Sequence, residues 1–248
     1  MAEWLRDLQD EVFRFALPFT FELRGEPSSR KGMRSGTCVV VKTNVSQFLI
    51  TSAHNIEPAM KMLQAGEVDC LAARLRLPID QMGSINLSFK ADIGTIILTE
   101  EHVRGLEHDG WGVLNAEKWP PAEDLAKGDP VMFAGFPGAW RIQKGPKDID
   151  FPGRVSVGFI GEPGGDQFSC HLDPEFVERD QVGDLAELSV DDVEGMSGGP
   201  AFLVRREVSK PVPQLCGIIK EGKAIDRGHL IFFFARIACI SHDGRIGG

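Results

Sequence analysis

The chain has 248 residues, 42% of them apolar and 25% charged, which is enough to bury a sizeable core and excludes a disordered, collagenous or disulfide-held miniprotein class. Its 27 basic and 36 acidic residues give a net charge of −9, spread along the chain, and no basic stripe marks a general nucleic-acid binder. With 28 glycines and 15 prolines, turns are frequent and short strands are favoured over long helices. Trp4, Leu5, Leu8, Val12 and Phe13 recur at helical spacing, so an amphipathic helix is expected within residues 1–18, its apolar face docked on the body of the protein. The acids Glu3, Asp7, Asp10 and Glu11 in that stretch are unlike the basic start of a secretory signal, and no window reaches the roughly 18 to 20 apolar residues that span a bilayer. A cytoplasmic protein with no membrane or nucleic-acid partner is the expectation.

After Gly36 the texture changes to short runs rich in β-branched and aromatic residues: Thr37–Lys42, Gln47–Ser52, Leu71–Leu77, Ile85–Phe89 and Ile93–Leu98. A second series comprises Pro130–Ala134, Gly153–Ile160, Gln167–Leu172, Pro200–Val204, Gln214–Lys220 and Leu230–Ile237. Between them, residues 99–127 lack a clean period and read as a long connector. Many short strands without alternating helices predict an all-β architecture repeated twice, with a first unit at 19–118 and a second at 119–248. Cys38, Cys70, Cys170, Cys216 and Cys239 are odd in number and form no Cys-x-x-Cys pair, so no disulfide framework or zinc site is expected.

Three segments carry chemistry. In Gly195-Met196-Ser197-Gly198-Gly199-Pro200, glycines let the backbone turn tightly enough for the N–H groups of Gly195 and Ser197 to converge beside a serine hydroxyl. In Phe48-Leu49-Ile50-Thr51-Ser52-Ala53-His54-Asn55-Ile56, an apolar run enters small residues and then a histidine, the side chain suited to general-base work near neutral pH. In Ala91-Asp92-Ile93-Gly94-Thr95-Ile96-Ile97-Leu98, an aspartate stands at the mouth of an apolar strand, where it can orient an imidazole. Taken singly, each has a bland reading: a glycine-rich turn, a structural histidine, a turn acid.

Together, in the order His54, Asp92, Ser197, these blocks resemble the chymotrypsin or trypsin-like serine peptidase family, and Gly128-Asp129-Pro130-Val131-Met132-Phe133-Ala134-Gly135-Phe136-Pro137 resembles the strand and turn that open the second barrel of its bacterial members. The resemblance spans about residues 36–240. It implies two six-stranded antiparallel β-barrels with the site between them, and a serine endopeptidase with a His54, Asp92, Ser197 triad and an oxyanion hole from the Gly195 and Ser197 amides. It also implies protein or peptide substrates, and no metal or organic cofactor. Asn55 stands where secreted relatives have a cysteine, and Met196 where they have an activating aspartate, so the chain looks more like bacterial intracellular, HtrA-type members. Substrate-binding positions implied by the resemblance are Asp191, Ile219, Lys220 and Gly222: Asp191 falls where an acid favours a basic side chain, with a solvated acidic loop of Asp191, Asp192 and Glu194 as the alternative. Lys220 stands where many relatives have a serine close to the triad aspartate, and an ammonium reaching Asp92 would either compete with His54 or stabilise the charge.

Other readings compete. Gly195-Met196-Ser197-Gly198-Gly199 matches the nucleophile elbow of α/β-hydrolases, but Gly198, Gly199 and Pro200 discourage the helix that must follow, and only Asp226, His229, His242 and Asp243 remain downstream. Cys170 beside His171 offers a thiol, yet adjacent strand residues face opposite ways. The stronger rival is a catalytically weak or inactive binding module of the same fold. A regulatory protein partner is a further expectation for a protease working among cytoplasmic proteins.

Overall fold

The computed structural model describes residues 3–23, 34–63, 68–77, 84–117, 119, 124–145, 148–172, 193–206, 211–226 and 229–247. Helix α1 (Glu3–Arg14) precedes β1 (Leu17–Leu23), β2 (Arg34–Lys42) and β3 (Gln47–Thr51), followed by α2 (Ala53–Leu63), β4 (Val68–Ala72), β5 (Leu75–Arg76), β6 (Ile85–Ser88) and β7 (Ile93–Ile97). Then come α3 (Glu100–His108), β8 (Leu114–Asn115), β9 (Pro130–Gly135), β10 (Ile142–Gly145), β11 (Asp148–Asp150), β12 (Arg154–Pro163), β13 (Gln167–Leu172), β14 (Pro200–Arg206), β15 (Pro211–Asp226) and β16 (His229–Arg236).

The second half closes into a six-stranded antiparallel barrel in the order β12, β13, β16, β15, β14, β9. The first half differs from the expected closed six-stranded barrel: among the described residues it is a curled eight-stranded sheet, β5-β4-β1-β2-β3-β7-β6, with β8 added to β2 in parallel. Its curl runs through β2, which pairs with β1 over residues 34–38 and then with β3 over residues 39–42. The outermost strands are short, with two residues in β5 and four in β6, and they offer few ladder bonds for closure.

Alternation along the strands sorts side chains into three cores. Val39, Val41, Phe48 and Ile50 face the seam between the halves, while Cys38, Val40 and Leu49 face the first-half core. On β9, Met132 and Ala134 join the seam, and Val131 and Phe133 point into the barrel beside Phe168, Phe232 and Phe234. The seam is therefore a shared apolar layer, which fixes the two halves against each other. Trp119 lies in it, edge-on to Phe48 at 5.6 Å, and its indole N–H donates to the Ile240 carbonyl at 2.8 Å.

Helix α1 buries Leu8 and Val12 against β9 and β12, so the expected apolar face docks on the second half although the helix leads the chain into the first. Two helices were not expected. Helix α3 lies inside the stretch read as a connector; only Val103 and Leu106 are buried along it, too few for a visible period, and a Thr99–His102 capping box starts it. Helix α2 begins directly after β3 and packs so closely on β7 that a Cβ at Gly94 would lie 2.6 Å from Ile56 Cδ1.

Candidate active site

Strand β3 is apolar and fully paired up to Thr51, where α2 takes over at Ala53 and places His54 in its first turn. The first backbone N–H groups of a helix have no partner inside it. Here Asp92, the residue before β7, supplies one: its Oδ1 accepts from His54 N–H at 3.1 Å. The same carboxylate meets the ring, with Nδ1 at 2.8 Å from Oδ2 and 3.1 Å from Oδ1. One acid thus caps α2 and fixes the imidazole, at the positive end of the helix dipole where an anion is favoured. To do so Asp92 adopts φ +55°, a left-handed conformation that Asp tolerates better than most residues. The imidazole side chain remains 49% exposed against 13% for Asp92, so Nε2 is the ring nitrogen available to a reacting group.

Ser197 lies in the tight segment before β14. Met196 N–H donates to Val193 O at 3.1 Å across a turn whose third residue, Gly195, has φ +93°, the positive angle that marks a type II turn. In the Glu194–Gly195 peptide the carbonyl accepts from Gly138 N–H, so the Gly195 N–H points to the opposite side. Among the described residues neither that N–H nor that of Ser197 has an acceptor, while Gly198 and Gly199 N–H bond Ile219 O at 2.7 Å and Met196 O at 2.9 Å. Two donors beside one hydroxyl are the arrangement an oxyanion needs.

The Ser197 turn is fastened to the first half. Ser197 O accepts from Thr37 N–H at 2.8 Å and from Asn55 Nδ2 at 2.8 Å. Thr37 Oγ1 donates to Gly195 O at 3.0 Å and accepts from Phe136 N–H at 3.0 Å. Ser52 Oγ donates to Ile219 O at 3.1 Å. The residues flanking His54 are thereby bonded to the segments flanking Ser197. The sequence reading gives Thr37, Thr51, Ser52 and Asn55 no part in holding the Ser197 turn; Thr51, Ser52 and Asn55 lie among the small and polar residues around His54, and Thr37 opens an apolar run with no local signal.

The Ser197 hydroxyl itself donates to Lys220 O at 3.1 Å, and among the described residues no hydrogen bond joins it to His54. Lys220 meets the site through this carbonyl: no ion pair or hydrogen bond links its side chain to Asp92 among the described residues. Ile219 is buried with its N–H bonded to Gly199 O at 2.8 Å, and Gly222 is backed by Val193, whose Cγ2 would lie 2.9 Å from a Cβ at position 222. Asp191 lies outside the described residues. No group of three or more His, Cys, Asp or Glu side chains suited to a metal occurs among the described residues. Among the described residues no helix is long and apolar enough to cross a membrane.

No family model and no curated protein matches the chain. Solved structures do. A thermostable serine protease, AL20, from an extremophilic microorganism is similar over 92% of each chain at 10% identity and a TM-score of 0.44. The protease Anisep from Arthrobacter nicotinovorans is similar over 90% of each chain at 11% identity and a TM-score of 0.45. The first of these neighbours is a serine protease and the second a protease, but at such identity and superposition a functional reading must come from the residues of this chain.

Proposed function

We propose that this chain is a serine endopeptidase that cleaves protein or peptide substrates through Ser197, His54 and Asp92. One observation carries the reading: His54, whose ring the Asp92 carboxylate pins, and Asn55, whose amide grips the Ser197 carbonyl, are consecutive residues of one helix turn. In the proposed cycle the Ser197 side chain turns from the Lys220 carbonyl to Nε2 of His54, which takes the hydroxyl proton as Oγ bonds to the scissile carbonyl carbon. Asp92 holds the proton on Nδ1 and stabilises the imidazolium. The Gly195 and Ser197 amides receive the oxyanion, the C–N bond breaks as His54 passes its proton to the leaving amine, and water repeats the sequence to release the acid. The backbone at Ile219, Lys220 and Gly222 would hold the substrate strand, with no metal or organic cofactor in any step. Five cysteines with no disulfide among them suit a reducing compartment such as the cytoplasm.

A second reading has its own observation. The hydroxyl bonded to Lys220 O describes a resting serine, as a binding module of this fold would keep it. A fluorophosphonate probe separates the two. The peptidase reading expects a stoichiometric adduct on Ser197, absent from Ser197→Ala, whereas an intact wild-type protein that never labels supports the module.

A further inference from the structure

We propose that Asn55 is a positioning residue: its carboxamide sets the register between the His54 turn and the Ser197 turn across the seam. The inference rests on the peptidase reading and deepens it. The side chain of Asn55 is nearly buried, at 9% exposure for the residue, and its Nδ2 donates twice, to Ser197 O at 2.8 Å and to Thr51 Oγ1 at 3.0 Å. The orientation of the amide follows from chemistry. The Thr51 hydroxyl proton is committed to Thr37 O at 2.7 Å, leaving its oxygen only as an acceptor, and Ser197 O is an acceptor as well. Two acceptors select the NH2 end of the amide over its oxygen.

The space for this amide is made by Gly36, where a Cβ would lie 2.3 Å from Nδ2. Asn55 also leaves the imidazole alone: the ring of His54 is held by Asp92. Its influence on the chemistry must therefore pass through the Ser197 main chain, whose carbonyl it shares with Thr37 N–H. That main chain carries the nucleophile and one of the two oxyanion donors, so a shift of the turn misplaces both at once.

Asn55→Asp keeps the shape and replaces the double donor by lone pairs facing two acceptors; Asn55→Ala deletes the amide and leaves a small cavity. Each variant is tested with the wild type by the kinetics of fluorophosphonate inactivation, well below its own melting temperature. The proposal expects the maximal inactivation rate constant to fall by about 10- to 100-fold with the probe's apparent binding constant nearly unchanged, the cost of a small misplacement of reacting groups. In Asn55→Ala, which adds no charge beside His54, it also expects the pH midpoint of inactivation to stay where it is, since the His54–Asp92 pair is untouched. Hydrogen exchange of residues 195–199 should quicken in both variants.

Wild-type rates in both variants, or a moved pH midpoint in Asn55→Ala, would overturn the assignment. A wild-type protein that does not label at Ser197 overturns the peptidase reading instead. In that case unchanged hydrogen exchange at residues 195–199 in both variants removes the clasp as well. Should either substitution prevent folding, Gly36→Ala displaces the same amide from the other side and is held to the same outcomes.

Discussion

The carboxylate of Asp92 binds His54 at two points, the backbone N–H at 3.1 Å and Nδ1 at 2.8 Å, so a single acid starts helix α2 and orients the ring that helix carries. The two duties can be separated by mutation. Asn at position 92 tolerates the left-handed φ of +55° and retains one acceptor oxygen, so the fold should lose about 1 kcal/mol or less. Its amide cannot hold the Nδ1–H tautomer in the same way, and Asp92→Asn should lower turnover by about four orders of magnitude. Parallel melting curves and steady-state rates check the split; equal losses in stability and activity would tie Asp92 to the fold alone.

Gly198 stands at a close approach between the two halves. Its φ is +86°, and a Cβ there would fall 2.1 Å from Thr37 O and 2.2 Å from Thr51 Oγ1. Backbone strain and overpacking together predict that Gly198→Ala costs roughly 2 to 5 kcal/mol. Urea titration should show a lower midpoint with an unchanged slope.

The thiols give an alkaline signature. Burial pushes Cys170 and Cys216 up to about 12 and raises Cys38 and Cys70 as well. Raised values mean that the unfolded chain releases these protons first. The stabilisation is whole below about pH 9, the ordinary thiol value, and is lost as pH climbs from there towards 12. Melting temperature should fall across that window, and Cys170→Ala should reduce the slope by about one proton. At pH 8 a disulfide reagent should titrate half-buried Cys239 well ahead of the other four, and all five only in denaturant.

Helix α3 depends on its cap. Thr99 Oγ1 accepts from His102 N–H at 3.4 Å, and His102 Nδ1 accepts from Thr99 N–H at 3.2 Å. Thr99→Ala should cost about 1 kcal/mol in chemical denaturation. No change would show that packing of Val103 and Leu106 alone holds the helix.

Sequence reading located most strands because alternation survives on paper wherever one face meets the seam and the other a separate core, as in Val39, Val40, Val41 and Phe48, Leu49, Ile50. Helix α3 was hidden because a nine-residue helix with two buried side chains has no period to detect. Strand β1 was hidden by Pro18, which sits within the strand opposite Thr37. At the site, His54, Asp92 and Ser197 were named from local motifs, and the contact between the first two is a matter of geometry now in view. The hold of Thr37 and Asn55 on the Ser197 turn is not legible in sequence, because it lies in bonds to Ser197 that join positions 160 and 142 residues apart. Hydrogen bonds of that span are written in the fold, not in any window of the chain.

The most direct measurement is the rate at which purified protein cuts an unfolded polypeptide, with Ser197→Ala prepared and assayed in parallel. Defined fragments are expected from the wild type, and from the variant a rate lower by about four to six orders of magnitude. Equal cleavage by the two proteins, or none by a correctly folded wild type that also refuses the fluorophosphonate probe, would contradict the peptidase reading.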